Sequence, residues 1–240
     1  MEAIVLAGGL GTRLRAAVPD LPKPMAPVNG RPFLERLLDY WVAQGVKRLI
    51  LSVGYRHEAI RAHFGKSYRR VPIRYAVEDQ PRGTGGALLL AAESLQGRDA
   101  FLVLNGDTWF EVPLKTLVKF HASRRPDATL ALFRSPQEGR YTGLGIGKDG
   151  EVLSLGTGAK GGLANGGVYL MARTLLEGAP RSASAPVSLE EDILPLALRA
   201  KKRLYGLECG GRFLDIGVPE DYHRAGAVLG ALPGEMGNRK

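Results

Sequence analysis

Short apolar strands alternate with amphipathic helices over the first 135 residues of this 240-residue chain, and no other feature constrains the fold as strongly. Residues 3–7 read as a continuous apolar strand that runs straight into a glycine-rich loop. Apolar residues then recur at helical spacing over 33–42, and a buried type of strand follows at 48–53. Such alternation predicts βαβ units and a mostly parallel sheet. The further predicted elements are strands at 73–77, 101–104 and 129–133 and helices at 57–64, 87–95 and 114–123.

The sequence pattern changes near Tyr141, where short glycine-rich segments begin. Strands at 143–147, 152–155 and 167–171 predict a hairpin-like sub-domain, and small polar residues over 178–186 predict a loop. Ser188 precedes Glu190, Glu191 and Asp192, a pattern typical of a helix start. A last strand is expected at 212–216, a last helix from Pro219 and a frayed tail from 232. We therefore expect one domain over 1–240, with a nucleotide-binding half at 1–135, a sugar-binding part at about 136–210 and a returning strand and helix at 211–230.

The composition excludes several classes of protein. The single cysteine, Cys209, excludes an internal disulfide framework and a cysteine-based zinc site. The sequence has no run of about 18 apolar residues, so no membrane span is expected. Its start does not have the pattern of a signal peptide, so a cytoplasmic location is expected. The net charge of +9 favours anionic ligands. Because no basic run is interleaved with aromatic residues, nucleic acid is not an expected partner.

The glycine loop after the first strand predicts a phosphate site. Gly8, Gly9 and Gly11 allow the backbone to approach a phosphate closely and to direct several N–H groups at it. The dinucleotide-binding fingerprint would need a third glycine where Leu14 stands, and a P-loop would need a Gly-Lys-Ser/Thr sequence that is absent. The loop alone therefore indicates only that a phosphate lies near it.

Two basic residues strengthen the phosphate hypothesis. Arg13 offers a planar fork for phosphate oxygens, and Lys23 is a compact charge held between Pro22 and Pro24. The alternative for Lys23 is a solvated loop lysine. The rigid proline setting favours a binding role.

The segments 6–14 and 21–25 together resemble the signature of sugar-1-phosphate nucleotidyltransferases, and 105–107 and 213–217 resemble that family's later motifs. The resemblance covers residues 1–229. Within the family, 22–34 and 51–55 most resemble the guanylyltransferases of D-glycero-D-manno-heptose 1-phosphate. The resemblance implies a Rossmann-like three-layer αβα fold with a mixed, mostly parallel central sheet. It also implies attack of a sugar phosphate on the α-phosphorus of a nucleoside triphosphate.

The implied reaction needs charge neutralisation and in-line alignment more than proton transfer. A sugar phosphate is already a nucleophile, so no general base is required. The catalytic residues we expect are Arg13 on the β- and γ-phosphates, Lys23 toward the α-phosphate, and Asp107.

Asp107 and Asp215 each end an apolar strand, and a few carboxylates with phosphate oxygens are how Mg²⁺ is usually held. The resemblance places both on Mg²⁺, the one expected cofactor. The alternative is that each aspartate caps a turn.

Glu78 and the turn at 83–86 resemble the family's base-reading segment. A carboxylate can accept hydrogen bonds from both N1–H and N2–H₂ of guanine, whereas uracil offers one donor on that edge. Glu78 therefore favours GTP, with UTP or a plain strand-end glutamate as alternatives. The full set of expected nucleotide-binding residues is Leu6, Ala7, Gly8, Gly9, Gly11, Thr12, Arg13, Glu78, Gly83 and Thr84.

The expected sugar-phosphate-binding residues are Asn105, Gly143, Lys160, Asn165 and Gly166. Relatives usually carry Glu-Lys before the Asn-Gly-Gly strand, whereas this chain has Ala159-Lys160. The phosphate contact can persist through Lys160, but the sugar-hydroxyl contact made by the glutamate in relatives is either lost or supplied elsewhere, which leaves the sugar open.

The leading hypothesis is therefore a guanylyltransferase that acts on a heptose 1-phosphate. A uridylyltransferase for another sugar phosphate, a non-catalytic regulatory relative that binds a sugar nucleotide, and a nucleic-acid-binding module are the alternatives. A homo-oligomer is possible.

Overall fold

The structure is a computed structural model that describes residues 1–9, 11, 14, 18, 21–97, 99–135, 141, 143–156, 162–181 and 185–230. The strands are β1 (Glu2–Leu6), β2 (Pro27–Val28), β3 (Arg31–Pro32), β4 (Arg48–Val53), β5 (Ser67–Tyr68), β6 (Val71–Val77), β7 (Phe101–Asn105), β8 (Thr108–Phe110), β9 (Ala128–Arg134), β10 (Leu144–Ile146), β11 (Val152–Leu155), β12 (Leu163–Met171), β13 (Leu204–Glu208) and β14 (Phe213–Asp215). The helices are α1 (Phe33–Ala43), α2 (His57–Phe64), α3 (Gly83–Ala92), α4 (Leu114–Arg124), α5 (Leu194–Arg199) and α6 (Pro219–Val228).

Eight strands form one central sheet in the order β13-β9-β12-β7-β1-β4-β6-β5. β1 pairs in parallel with β4 and β7, β4 with β6, and β9 with β13. β12 runs antiparallel between β7 and β9. The sheet is therefore mixed and mostly parallel, as predicted.

The strand and helix positions predicted for the first 135 residues are confirmed to within a few residues. The structure differs further along the chain. β10 and β11 pair with each other in a separate two-stranded ladder, as a hairpin-like unit would. β12, in contrast, belongs to the central sheet, and so does β13, which the sequence pattern did not predict. β12 is largely apolar and is buried between β7 and β9, whereas β13 forms one edge of the sheet, where it pairs with β9.

Two apolar layers enclose the sheet because alternate side chains of each strand point to opposite faces. Val5 and Leu51 pack in one buried cluster with Trp41 of α1. Ile4 and Ile50 pack in the other with Leu88 of α3. Strands buried on both faces are expected to be continuously hydrophobic, as β1 and β4 are. No described helix is long and apolar enough to cross a membrane.

Candidate active site

The carboxyl ends of four parallel strands meet at one edge of the sheet. Leu6 at the end of β1 lies opposite both Ser52 of β4 and Asn105 at the end of β7. Ser52 lies opposite Ala76 of β6, two residues before Glu78. Ligands of open α/β sheets bind beyond such strand ends. The sheet register therefore brings the glycine loop, Glu78 and the segment after β7 to one place.

A cavity of about 270 Å³ opens at this edge. It is lined by Leu6, Ala7, Gly8, Gly9, Lys23, Pro24, Glu78, Pro81, Gly83, Thr84, Ala87, Asn105 and Asp107. Residues from both halves of the predicted site, nucleotide and sugar phosphate, are among them. Pro24, Pro81 and Ala87 also line it; their small or rigid side chains carry no chemical signal in a sequence.

Lys23 lies between the two aspartates that the sequence assigned to a metal. Its Nζ donates a hydrogen bond to Asp107 Oδ2 and lies 3.9 Å from Asp215 Oδ1. The lysine side chain is 11% exposed, so the ammonium is largely shielded from water. A 3-10 turn at Lys23–Met25, entered through extended Pro22, fixes the direction of the side chain. The proline setting thus holds Lys23 against Asp107 and Asp215.

A short strand pairing brings Asp215 across 108 residues to Asp107. β14 runs antiparallel to β8, with Asp215 opposite Thr108, and the N–H of Ile216 donates to the carbonyl of Asp107 at 3.1 Å. The N–H of Gly217 donates to Asp215 Oδ1 at 2.6 Å, and a Cβ at position 217 would lie 2.8 Å from Lys23 Nζ. Glycine is therefore the residue that fits next to this ion-pair cluster.

The two aspartates suit a hard divalent cation. Both offer carboxylate oxygens, both face one positive charge, and their side chains are 35% and 23% exposed, which leaves room for other oxygen ligands. Among the described residues no group of three His, Cys, Asp or Glu side chains forms a closed metal cage. A site of two carboxylates completed by phosphate and water is the type that Mg²⁺ accepts.

Glu78 lies just after β6, lines the cavity and is partly buried. Its Oε2 accepts from the N–H of Arg82 at 3.0 Å, and Ser52 Oγ lies 3.4 Å from its Oε1. Burial raises the pKa of Glu78 despite these hydrogen bonds, because desolvation disfavours the charged form. A Cβ on Gly8 would lie 2.3 Å from Oε1. Glu78 is thus a desolvated carboxylate packed on the glycine loop rather than a solvated strand-end residue.

Two N–H groups in the first turn of α3 are already hydrogen-bonded and do not point at a phosphate. The N–H groups of Gly85 and Gly86 donate to the carbonyl of Val187 at 2.8 and 3.2 Å. Gly83 has φ +73°, and a Cβ there would lie 2.4 Å from the same carbonyl oxygen. The segment before Ser188 therefore caps α3, which leaves Gly83 and Thr84 to contact a ligand from the side.

The start of β12 lies beside the end of β7 because the two strands are antiparallel. Gly167 has φ +71°, and a Cβ there would lie 3.1 Å from Asn105 Cβ. Asn105 Oδ1 is buried and accepts no hydrogen bond from the described residues. A buried acceptor without a donor is costly, so this oxygen is suited to a ligand hydroxyl. Gly166, in turn, is required by packing, since a Cβ there would lie 2.3 Å from the Phe110 ring.

Some predicted site residues lie outside the described part of the chain: Thr12, Arg13 and Lys160, with the neighbouring Ala159. Gly11 is described and has φ +60°, and a Cβ there would lie 2.9 Å from Lys23 Cβ. Gly143 forms an isolated bridge with Ala164, next to Asn165 on β12. Each described member of the predicted set therefore lies at this edge of the sheet or on a segment that packs against it.

Tyr169 and Glu190 were not predicted as site residues. Glu190 was expected only to stabilise a helix start. Ser188 does cap a helical segment, the π-helical turn Leu189–Ile193 that leads into α5, and its Oγ accepts from the Glu191 N–H at 3.0 Å. Glu190, however, turns inward and binds both Thr84 and Tyr169. The acidic cluster gave no signal of this, because the partners are 106 and 21 residues away.

A second, wider depression lies on the outer side of β6 and α2. Arg61, Lys66 and Arg74 are among the residues that line it, and no predicted site residue does. Its exposed basic side chains are typical of a solvated surface, so the chemistry is centred on the smaller cavity.

Comparison with known proteins gives one family. The model of the family described as nucleotidyl transferase matches residues 2–230. The D-glycero-alpha-D-manno-heptose 1-phosphate guanylyltransferase of Aneurinibacillus thermoaerophilus is 41% identical over 94% of this chain and 96% of its own length. The mannose-1-phosphate guanylyltransferase of Mycobacterium tuberculosis is 33% identical over 95% of this chain and 64% of its own. The crystal structure of HddC from Yersinia pseudotuberculosis complexed with GMP-PN is similar with a TM-score of 0.82 and 34% identity, covering 95% of this chain and 99% of that one.

Proposed function

The chain belongs to the nucleotidyl transferase family, and we propose that it transfers the guanylyl group of GTP to a heptose 1-phosphate, giving GDP-heptose and pyrophosphate. One observation carries the proposal: Lys23, Asp107 and Asp215 converge at the end of a cavity that the glycine loop and Glu78 also line. The relatives named as heptose 1-phosphate guanylyltransferases support this choice of substrates.

The reaction brings two phosphorylated molecules together, so its main barrier is electrostatic repulsion and alignment. Lys23 neutralises charge on the α-phosphate as the sugar phosphate oxygen attacks the phosphorus and the bond to pyrophosphate breaks. In this proposal Arg13 binds the departing β- and γ-phosphates. The glycine loop supplies backbone N–H groups at close range. The attacking phosphate carries its own negative charge, so no side chain removes a proton.

Asp107 and Asp215 hold the divalent metal ion in this proposal. The family generally uses a divalent metal, and we propose Mg²⁺ because the ligands are hard oxygens and few. Such an ion, when bound, supplies positive charge to phosphate oxygens. The contacts of Lys23 with both carboxylates keep those carboxylates close together.

Glu78 selects guanine in this proposal. Its carboxylate can accept from both N1–H and N2–H₂ of the base, which uracil and adenine cannot satisfy on the same edge. Asn105 Oδ1, Gly143, Asn165 and Lys160 form the sugar-phosphate side. We place the reaction in the cytoplasm, where nucleoside triphosphates are available.

A substrate panel tests the proposal. Pyrophosphate release is measured with GTP, UTP, ATP, CTP and dTTP, each against D-glycero-D-manno-heptose 1-phosphate, mannose 1-phosphate and glucose 1-phosphate, with Mg²⁺ or with EDTA. The highest kcat/KM is expected for GTP with the heptose 1-phosphate, and EDTA is expected to abolish turnover.

The other outcomes identify the alternatives. Turnover with UTP and not GTP would contradict the guanine assignment and indicate a uridylyltransferase. Turnover of GTP with mannose 1-phosphate alone would contradict the heptose assignment. Tight binding of a sugar nucleotide without turnover of any pair would indicate a regulatory relative.

A further inference from the structure

A chain of hydrogen bonds crosses the fold between the two substrate sides of the cavity. Thr84 Oγ1 donates to Glu190 Oε2 at 2.8 Å. Tyr169 Oη donates to Glu190 Oε1 at 2.8 Å, and Asn165 Nδ2 donates to Tyr169 Oη at 2.6 Å. The N–H of Gly167 donates to Asn165 Oδ1 at 3.1 Å. Thr84 lines the cavity on the nucleotide side, and Asn165 belongs to the strand start on the sugar-phosphate side.

Each donor and acceptor in this chain has one assignment. An ionised carboxylate only accepts, so both hydroxyls must donate to Glu190. The Tyr169 oxygen then accepts from Asn165 Nδ2. This bond fixes the orientation of the Asn165 amide, with Nδ2 toward Tyr169 and Oδ1 toward the N–H of Gly167. The N–H of Leu189 donates to Thr84 Oγ1 at 2.8 Å, so the Thr84 hydroxyl is engaged on both sides. The donor and acceptor order in this series of hydrogen bonds therefore determines which hydrogen-bonding groups of Asn165 and Thr84 remain for a ligand.

The environment of Tyr169 keeps this order in place. The side chain is fully buried in the middle of β12. Desolvation, and then the nearby Glu190 carboxylate, raise the pKa of Tyr169 well above its ordinary value. The phenol is therefore neutral at any physiological pH and keeps its proton toward Glu190. A buried network of this kind, with every member paired, is rigid.

We propose that Tyr169 and Glu190 are positioning residues that orient Asn165 for the sugar 1-phosphate and tie that orientation to Thr84 on the nucleotide side. The proposal rests on the proposed function, because it takes the two sides of the cavity to be the GTP and sugar-phosphate sides. Tyr169 is fully buried and Glu190 does not line the cavity, so in this proposal they act through Asn165 and Thr84 rather than by touching substrate. Thr84 lines the cavity, and Asn165 lies two residues before Gly167, which packs against the lining residue Asn105.

Tyr169→Phe is the first test. The phenyl ring keeps the buried volume and removes the oxygen that accepts from Asn165. The KM for the sugar 1-phosphate is expected to rise about tenfold, the effect of losing one hydrogen bond that holds a binding group. The KM for GTP is expected to stay within about twofold, because Glu190 still accepts from Thr84. A purely structural role would lower the melting temperature and kcat without this selectivity for one substrate.

A double-mutant cycle tests the link between the two sides. Thr84→Val removes the hydroxyl on the nucleotide side, and it is expected to raise the KM for the sugar 1-phosphate as well as that for GTP. In the Tyr169→Phe background, Thr84→Val is expected to cause no additional rise in the KM for the sugar 1-phosphate, because Tyr169→Phe has already broken the hydrogen-bond chain between Thr84 and Asn165. Additive effects on that KM would overturn the link.

The matched control is Tyr68→Phe. Tyr68 Oη donates to Asp39 Oδ1 at 2.6 Å, so this is also a tyrosine–carboxylate pair, but neither residue lines the described cavity. Its loss is expected to change stability and neither KM. As a second variant, Glu190→Gln offers one acceptor oxygen in place of two and is expected to raise at least one KM more than fivefold.

Failure of the positioning role and failure of the proposed function give different results. An active wild type in which Tyr169→Phe and Glu190→Gln leave both KM values within about twofold would overturn the positioning role alone. A wild type without turnover for any pair in the substrate panel would overturn the proposed function, and the positioning role with it.

Discussion

At the residue scale, the site is organised around one partly buried lysine. Lys23 interacts with two aspartates from distant parts of the chain, and Gly11 and Gly217 leave the space that its side chain occupies. Lys23 is ion-paired rather than idle. Asp215 does accept a hydrogen bond from the N–H of Gly217, as a turn-capping aspartate would, but capping alone does not account for its approach to Lys23. The pairing with the aspartates offsets part of the cost of desolvating the Lys23 ammonium, while the two carboxylates stay partly exposed.

Lys23→Met is expected to lower kcat about 100- to 1,000-fold, since a preorganised positive charge at the α-phosphate contributes about 2.7–4 kcal/mol to the barrier reduction. The measurement is single-turnover and steady-state pyrophosphate release with GTP. Lys115→Met is the matched control, because Lys115 is an exposed lysine of α4. A Lys23→Met variant with the wild-type kcat would remove Lys23 from the catalytic residues.

The carboxylate of Glu78 predicts a pH dependence of GTP binding. Guanine recognition needs the ionised form, and burial raises the pKa of Glu78 above its ordinary 4.5. As the pH falls toward that raised pKa, Glu78 becomes protonated and the KM for GTP is expected to rise, starting at a higher pH than an ordinary glutamate would cause.

Glu78→Gln separates this effect from general acid instability. At neutral pH the KM for GTP is expected to be roughly ten- to 100-fold higher, as for a lost hydrogen bond to a charged group, and it should no longer increase as the pH is lowered. Glu93→Gln, an exposed carboxylate just after α3, should keep the wild-type profile. An unchanged acid limb in Glu78→Gln would show that another group causes it.

At the scale of elements, the site depends on how strands end rather than on loops of special sequence. β1 and β7 end side by side, β12 starts next to them, and β14 adds Asp215 through its pairing with β8. The segment at Val187 and Ser188 crosses over the first turn of α3 and carries Glu190 into the same region. The predicted sugar-binding part and the nucleotide-binding half are therefore joined at α3 by backbone hydrogen bonds.

Gly83→Ala tests that junction. An alanine at φ +73° carries backbone strain of about 1 kcal/mol or more, and its Cβ would also clash with the Val187 carbonyl at 2.4 Å. The free energy of unfolding is expected to fall by clearly more than strain alone, and the KM for GTP to rise. Denaturant unfolding and steady-state kinetics give the two quantities.

Gly178→Ala is the matched comparison, since Gly178 has φ +76° and open space around a built Cβ. It should show the strain without the clash and keep the wild-type KM. Equal losses of stability in the two variants would mean that the contact with Val187 contributes nothing measurable.

At the scale of the whole molecule, the net charge of +9 suits two phosphorylated substrates. Exposed basic side chains do not mark the site, because the depression lined by Arg61, Lys66 and Arg74 lies elsewhere and the cavity itself pairs Lys23 with carboxylates. Overall charge thus assists the approach of anions, and the local arrangement provides the chemistry.

Binding of GTP with Mg²⁺ is expected to stabilise the whole fold. At a GTP concentration of about 100 times its dissociation constant the linkage is about 2.7 kcal/mol, which corresponds to an increase in melting temperature of about 5–10 °C for a chain of this size. Differential scanning fluorimetry measures it, with UTP as the comparison nucleotide.

The contribution of Mg²⁺ to this increase in melting temperature is obtained by repeating the measurement in EDTA and with the Asp215→Asn variant. Both are expected to remove most of the Mg²⁺-dependent part of the shift, whereas Asp149→Asn, an exposed turn residue, should keep it. A shift that is equal with Mg²⁺ and EDTA in the wild type would contradict the assignment of the two aspartates to a metal.

Sequence alone determined much of this protein. Strand and helix periodicity predicted a mostly parallel sheet, because alternation of apolar residues follows from burial on a sheet or along a helix face, and the family resemblance implied that the sheet is mixed. The motifs at 6–14, 21–25 and 105–107 predicted the family and the described members of the nucleotide side, since glycines, a lysine between prolines and strand-end aspartates are local features. Their catalytic and metal-binding roles remain predictions.

Only the tertiary structure decided the rest. β13 joins the central sheet, β12 belongs to that sheet rather than to a separate sub-domain, and Glu190 binds Thr84 and Tyr169 instead of serving only a helix start. The physical reason is the same in each case: a strand's neighbours and a carboxylate's hydrogen-bond donors are set by contacts between residues far apart in the chain. The local sequence around a residue therefore does not predict which distant residue will contact it.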